Sequence, residues 1–258
     1  MAAVSVAALL LGDSRFPAGG HAHSGGVEPA VTAGTVTDLQ TLKWFLRGRL
    51  RTAGLVAAGL AAAACAGVQR NVARGESAAV VRDHGFLAEL DTEADARTPA
   101  PAQREASRRQ GRALLRAARV VWPEAPGLAS LAASVRLNAS AASGTASATR
   151  AEYRAGPHHA VVLGAAAAAA GCSPVEAAGI AAYQAVAGPV SAAVRLLALD
   201  PMRATGILAG LAGDIDQIAA QGAAYADGPL DDLPCASAPA LDLLAQTHIT
   251  AEVRLFES

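Results

Sequence analysis

The sequence predicts an all-α fold, a bundle of roughly eight to ten helices in a single domain spanning 1–258, on three observations. Of 258 residues, 52% are hydrophobic but only 3% aromatic, and alanine, the strongest helix former and a poor strand former, supplies much of the difference. Helix start and stop signals recur along the chain. The longest apolar runs, 54–68 and 161–172, consist mainly of Ala and Gly and fall short of the roughly 20 residues a bilayer requires. They read as core helices, and no internal repeat interrupts the pattern.

The first element is a short apolar segment, 2–11. It lacks a basic flank and leads into Gly19-Gly20-His21-Ala22-His23-Ser24-Gly25-Gly26-Val27-Glu28 rather than a cleavage site, so secretion is not expected. That Gly-rich segment, 1–36 overall, has a composition no helix or strand needs. Glycine serves where φ is positive or a backbone approaches closely. Thr37-Asp38-Leu39-Gln40 has capping-box spacing and predicts a helix toward Arg51. A second, Ala-rich helix follows over 54–73.

Ser77 opens another helix, expected to end near Asp91. The acidic run 89–95 with Pro99 and Pro101 reads as a solvated loop. A helix over 103–121 carries Arg104, Arg108, Arg112 and Arg116 on one drifting stripe, expected to face solvent or an acidic protein. Pro123 and Pro126 close it. The segment 138–156, rich in Ala, Ser, Thr and Gly, is the weakest for regular structure.

A helix over 158–170 ends at Gly171. Ser173-Pro174-Val175-Glu176 then combines a cap, a proline at N1 and a capping-box Glu. That helix is expected to reach Leu199, disturbed at Gly188-Pro189 by the missing amide. Asp200-Pro201 restarts the chain into one helix over 202–224. Asp227, Gly228, Pro229 and Asp231-Asp232 form a solvated loop before a last helix over 240–250. A short tail, 251–258, closes the chain.

Composition removes several functions. A net charge of −1 offers no overall attraction for nucleic acid, and no aromatics interleave the arginine stripe to stack bases. Cys65, Cys172 and Cys235 are widely spaced and odd in number. They read as small buried residues in a reducing compartment, not as disulfides or a metal cage. The Gly-rich loop lacks the Gly-Lys-Ser/Thr of a phosphate cradle. Ser24 beside His23 lacks the Gly two places earlier that a nucleophile elbow requires. His21 and His23 could touch nickel or zinc transiently, but two imidazoles alone rarely hold a metal tightly. His158-His159 point about 100° apart on a helix and read the same way. No self-contained catalytic centre emerges, and an interaction protein is expected.

Four blocks in order resemble one family. Asp13-Ser14, Pro17-Ala18-Gly19-Gly20 and His23-Ser24-Gly25-Gly26-Val27-Glu28 are similar to the opening motif of the urease accessory protein UreF family. Arg104-Glu105-Ala106-Ser107 with Gly111 and Leu114-Leu115 resembles its central basic helix. Val190-Ser191-Ala192-Ala193-Val194-Arg195-Leu196 resembles its long C-terminal helix. Ala238-Pro239-Ala240-Leu241-Asp242, His248, Arg254-Leu255-Phe256 and Ser258 resemble its closing motif. The chain departs from the pattern at Gly188-Pro189, Asp200-Pro201, Ile249 and Ala251.

The resemblance implies an all-α, dimeric, non-enzymatic cytoplasmic protein without a cofactor. Such a protein bridges the accessory protein UreD (also called UreH) and the GTPase UreG, and the assembly loads nickel into apo-urease. By position it implies partner-binding roles for Glu28, for Arg195 on a surface toward the GTPase, and for Arg254, Leu255 and Phe256 in a tail docking into UreD. No nucleic acid or membrane partner is implied. A stand-alone nickel carrier using His21 and His23, or less readily a small hydrolase at His23 and Ser24, are the alternatives.

Overall fold

A computed structural model describes residues 6–13, 15–17, 23–74, 85–142, 156–248 and 255–256. Among them regular structure is helical and no strand occurs, so the all-α expectation holds. The helices are α1 (Val6–Gly12), α2 (Val27–Thr32), α3 (Leu39–Arg49), α4 (Leu55–Ala73), α5 (Gly85–Ala96), α6 (Pro101–Val121), α7 (Pro126–Ala142), α8 (His159–Ala169), α9 (Pro174–Leu197), α10 (Pro201–Gly210), α11 (Ala212–Ala223) and α12 (Pro239–His248).

Local rules explain most boundaries. Asp38, not Thr37, caps α3: its carboxylate accepts the amides of Gln40 and Thr41, while the Thr41 hydroxyl accepts the Asp38 amide. The expected break before α4 is absent. A π-helical stretch, Leu50–Gly54, joins α3 to α4, and the Thr52 hydroxyl donates to the Gly48 carbonyl at 2.9 Å within it. Ser173 and Glu176 form the expected capping box of α9. That helix stops at Leu197 because Ala198 takes a left-handed φ of 48°. The expected helix over 202–224 is two helices, α10 and α11, meeting at Leu211. The start expected at Ser77 lies outside the described residues.

The acidic run is not a loop. Leu87, Leu90 and Ala94 are buried at helical spacing, so burying this apolar stripe makes 85–96 a helix. Its acids then face α6.

The core rests on α4. Every residue from Ala58 to Val68 is buried, and α8, α9 and α11 pack around it. Small side chains make this possible. A Cβ added at Gly164 of α8 would stand 2.2 Å from the Ala61 carbonyl oxygen of α4, so the two backbones nearly touch there. Such close packing substitutes contact density for the large apolar areas of an aromatic core. Leu39–Ala73 and Pro174–Leu197 are long and apolar enough to cross a membrane, yet 72% and 56% of their most apolar windows are buried in the protein. They serve here as core helices.

Inside α9, Pro189 supplies no N–H for the Ala185 carbonyl. Arg49 takes its place: Nε donates to Ala185 O at 2.9 Å. Cys65 and Cys172 are buried as expected, but Cys235 is exposed, because the chain buries Leu233 and Pro234 and returns to the surface at the next residue.

Candidate docking surface

Gly25 and Gly26, with φ of 59° and 89°, turn the chain into α2. Only glycine holds such angles without strain. The turn sinks Val27 and Ala30 into the core against α9 and carries Glu28 inward with them. A buried carboxylate needs donors, and these come from the other end of the chain. Glu28 Oε1 accepts the Leu255 amide at 2.7 Å, and Oε2 accepts the Phe256 amide at 2.9 Å. His248, at the end of α12, brings Nε2 to 3.2 Å from Glu28 Oε2 and 3.3 Å from the Phe256 carbonyl.

Arg195 reaches the same place from α9. Its guanidinium carbon lies 4.7 Å from the Phe256 ring centroid, a cation–π contact. Glu28, Arg195, Leu255 and Phe256, spread over 229 positions of sequence, are therefore one cluster. Arg254 lies outside the described residues. The tail differs from a free anchor. Phe256 is only 6% exposed, seated on its own chain, whereas Leu255 is 67% exposed. Arg195 is exposed beside it. The chemistry offered to a partner is thus an apolar knob next to a cation, held rigid by a buried carboxylate. Sequence reading placed His248 in the closing motif but not among the site residues; the structure makes it the fifth member of the cluster.

The other singled-out groups do different work. Asp91 Oδ1 accepts the His158 amide at 2.6 Å, and Oδ2 accepts Arg108 Nη1 at 2.8 Å. Arg108 Nη2 donates to Asp95 at 2.6 Å. His158 bridges Ser107 Oγ at 3.0 Å and Asp95 at 2.9 Å. The His158 hydrogen bond, followed by Arg108, holds the Asp95 carboxyl well below its ordinary range. The N-terminal part of the arginine stripe is accordingly no free face, whereas Arg116 at its other end is exposed. Arg108 locks α5 and the start of α8 onto α6, while Arg104 donates to the Thr98 and Pro99 carbonyls.

His21 lies outside the described residues. His23 instead neighbours His159, whose pKa is drawn down to about 4 by burial, then by His23. The described residues contain no group of three or more His, Cys, Asp or Glu that could hold a metal. The Ser24 hydroxyl is buried without a hydrogen-bond partner among them.

The chain is similar to known proteins over nearly its whole length. The UreF family profile matches residues 36–212. The chain is 44% identical over 250 residues to the urease accessory protein UreF of Mycobacterium sp. (strain JLS), covering 97% of each chain. It is 43% identical over 252 residues to that of Mycolicibacterium vanbaalenii, again covering 97% of each. The protein of the same name from Mycobacterium tuberculosis (strain ATCC 25618 / H37Rv) is 43% identical over 245 residues, 95% of this chain and 94% of its own.

Proposed function

This chain belongs to the UreF family of urease accessory proteins, and from that premise we propose that it is a non-catalytic adaptor in urease maturation. It bridges UreD (UreH) and the GTPase UreG, as a homodimer in the cytoplasm, while nickel is delivered as cargo into apo-urease. The observation that carries this reading is the convergence of Glu28, Arg195 and the Leu255–Phe256 pair on one surface. A rigid apolar anchor beside a cation suits recognition by a partner protein, where a few buried side chains supply most of the affinity.

Each element has a distinct part. Glu28 and His248 fix the tail, which lowers the entropy lost when it docks. Leu255 enters a groove of UreD. Arg195 pairs with acidic groups of UreG, which steers and orients the GTPase. Co-purification of the tagged full chain with folded UreD and UreG tests the reading directly. A stable complex of the three supports it, and failure of either partner to bind contradicts it. The carrier alternative has one observation in its favour, the neighbouring His23 and His159. Calorimetry with nickel on the isolated chain separates the two, because a carrier requires a tight stoichiometric site.

A further inference from the structure

We propose that Arg49 anchors a site for a small planar oxyanion, of the carboxylate or bicarbonate class, inside the molecule. The proposal does not depend on the adaptor reading. Arg49 closes α3 where the π-helical stretch begins, and its Nε is committed to the Ala185 carbonyl at 2.9 Å. That bond fixes the plane of the guanidinium and leaves the two Nη groups, which make no hydrogen bond in the described structure. Two parallel N–H donors on one edge match the two oxygens of a carboxylate.

Among the described residues no carboxylate lies within ion-pair distance of Arg49. Burial alone draws its pKa down to about 10, so the group stays cationic at neutral pH. A half-buried cation without a carboxylate partner carries a desolvation cost. The side chain nevertheless retains accessible surface, and that surface is the wall of a cavity of about 630 Å³, the size of a small-ligand pocket. Two carboxylates line it. Asp13 is engaged by Arg15, and burial pushes the Asp242 carboxyl up from its ordinary value. Arg195 also reaches the wall, whereas Arg97, which lines it too, is already paired with Glu93. Arg49 and Arg195 are therefore the cations that face the cavity without a carboxylate partner among the described residues. A Cβ at Gly25 would stand 3.3 Å from the guanidinium carbon. One face of the group is therefore covered by backbone and its Nη edge is the approach left to a ligand. Because the guanidinium lines a cavity and is only half-exposed, a diffusing solute fits it better than a partner's side chain.

The test is a titration of the full-length protein, ¹⁵N-labelled at arginine, with sodium acetate and with sodium bicarbonate, followed by side-chain NMR. Sodium chloride at matched ionic strength is the control. The Arg49 side-chain resonances are expected to shift saturably with both oxyanions and not with chloride, and the melting temperature to rise in parallel. Arg49→Lys keeps the charge but offers one ammonium to both Ala185 and the anion, so binding should weaken about tenfold. Absence of a saturable shift, an equal response to chloride, or unchanged binding by a folded Arg49→Lys protein each overturns the proposal. If that variant does not fold, the wild-type titration decides alone.

Discussion

Two clasps in this molecule use the same chemistry for opposite ends. In one, Asp91 accepts the His158 amide while His158 touches Asp95, and Arg108 supplies the charge. In the other, Glu28 accepts two successive amides of the tail while His248 touches the same carboxylate. Both pair a carboxylate and an imidazole with backbone N–H groups brought from far along the chain. The first ties three helices together at a buried His158, so its loss disturbs the fold. The second ties down a chain end, next to an exposed Leu255 and an exposed Arg195. A carboxylate spent on two tail amides costs the core little to lose. Its value lies in the surface it holds in shape.

The sharpest way to break this distinction is Arg108→Ala. Asp91 and Asp95 would face each other without their cation, and stability should fall by about 3 kcal/mol, read as a lower midpoint in urea unfolding. Binding by the molecules that remain folded should persist. Acid sharpens the contrast next. Because the folded-state pKa of His159 is lowered to about 4, its neutral form contributes stability present above the unfolded value of about 6.5, lost as pH falls from there toward 4. Asp95 is also depressed, so its contribution persists through that window and is lost only below the ordinary Asp range, near 4. Unfolding free energy measured against pH should thus decline in two steps. His159→Gln should remove the upper one.

Glu28→Gln is the mirror experiment on the second clasp. It replaces charge-assisted hydrogen bonds with weaker ones, at a cost of about 1–2 kcal/mol confined to the tail. Amide exchange of Leu255 and Phe256 should accelerate while amides of α4 and α8 stay protected. Equal acceleration in the core would erase the distinction between the clasps. Arg195→Ala is the mildest change, removing a cation–π contact worth about 0.5 kcal/mol at an exposed site. Its effect should be seen as a few-fold loss of UreG affinity, with an unchanged melting temperature.

Sequence reading succeeded where the cause is local. The Ser173–Glu176 box, Pro174 at N1 and the left-handed Gly171 all depend on residues within one turn. It slipped by one residue at Asp38, since Thr and Asp are both competent caps and only geometry chooses. It misread 89–95 because the charged residues there outweighed the Leu87, Leu90 and Ala94 stripe, and their partners sit on α6 and α8. The join of α3 to α4 was hidden for a similar reason: Arg49, at the join, bonds to the Ala185 carbonyl 136 positions away. The candidate residues at both ends were singled out by resemblance alone. That they hold one another, with Phe256 already seated, is a long-range fact that no local pattern encodes.

The central claim is that the tail, held by Glu28, is what this protein presents to UreD. Calorimetric titration of UreD with the full chain and with a chain ending at Val253, alongside circular dichroism, tests it most directly. The account predicts binding by the full chain, none by the shortened one, and identical helical signals. Equal affinity of the two chains for UreD would contradict it.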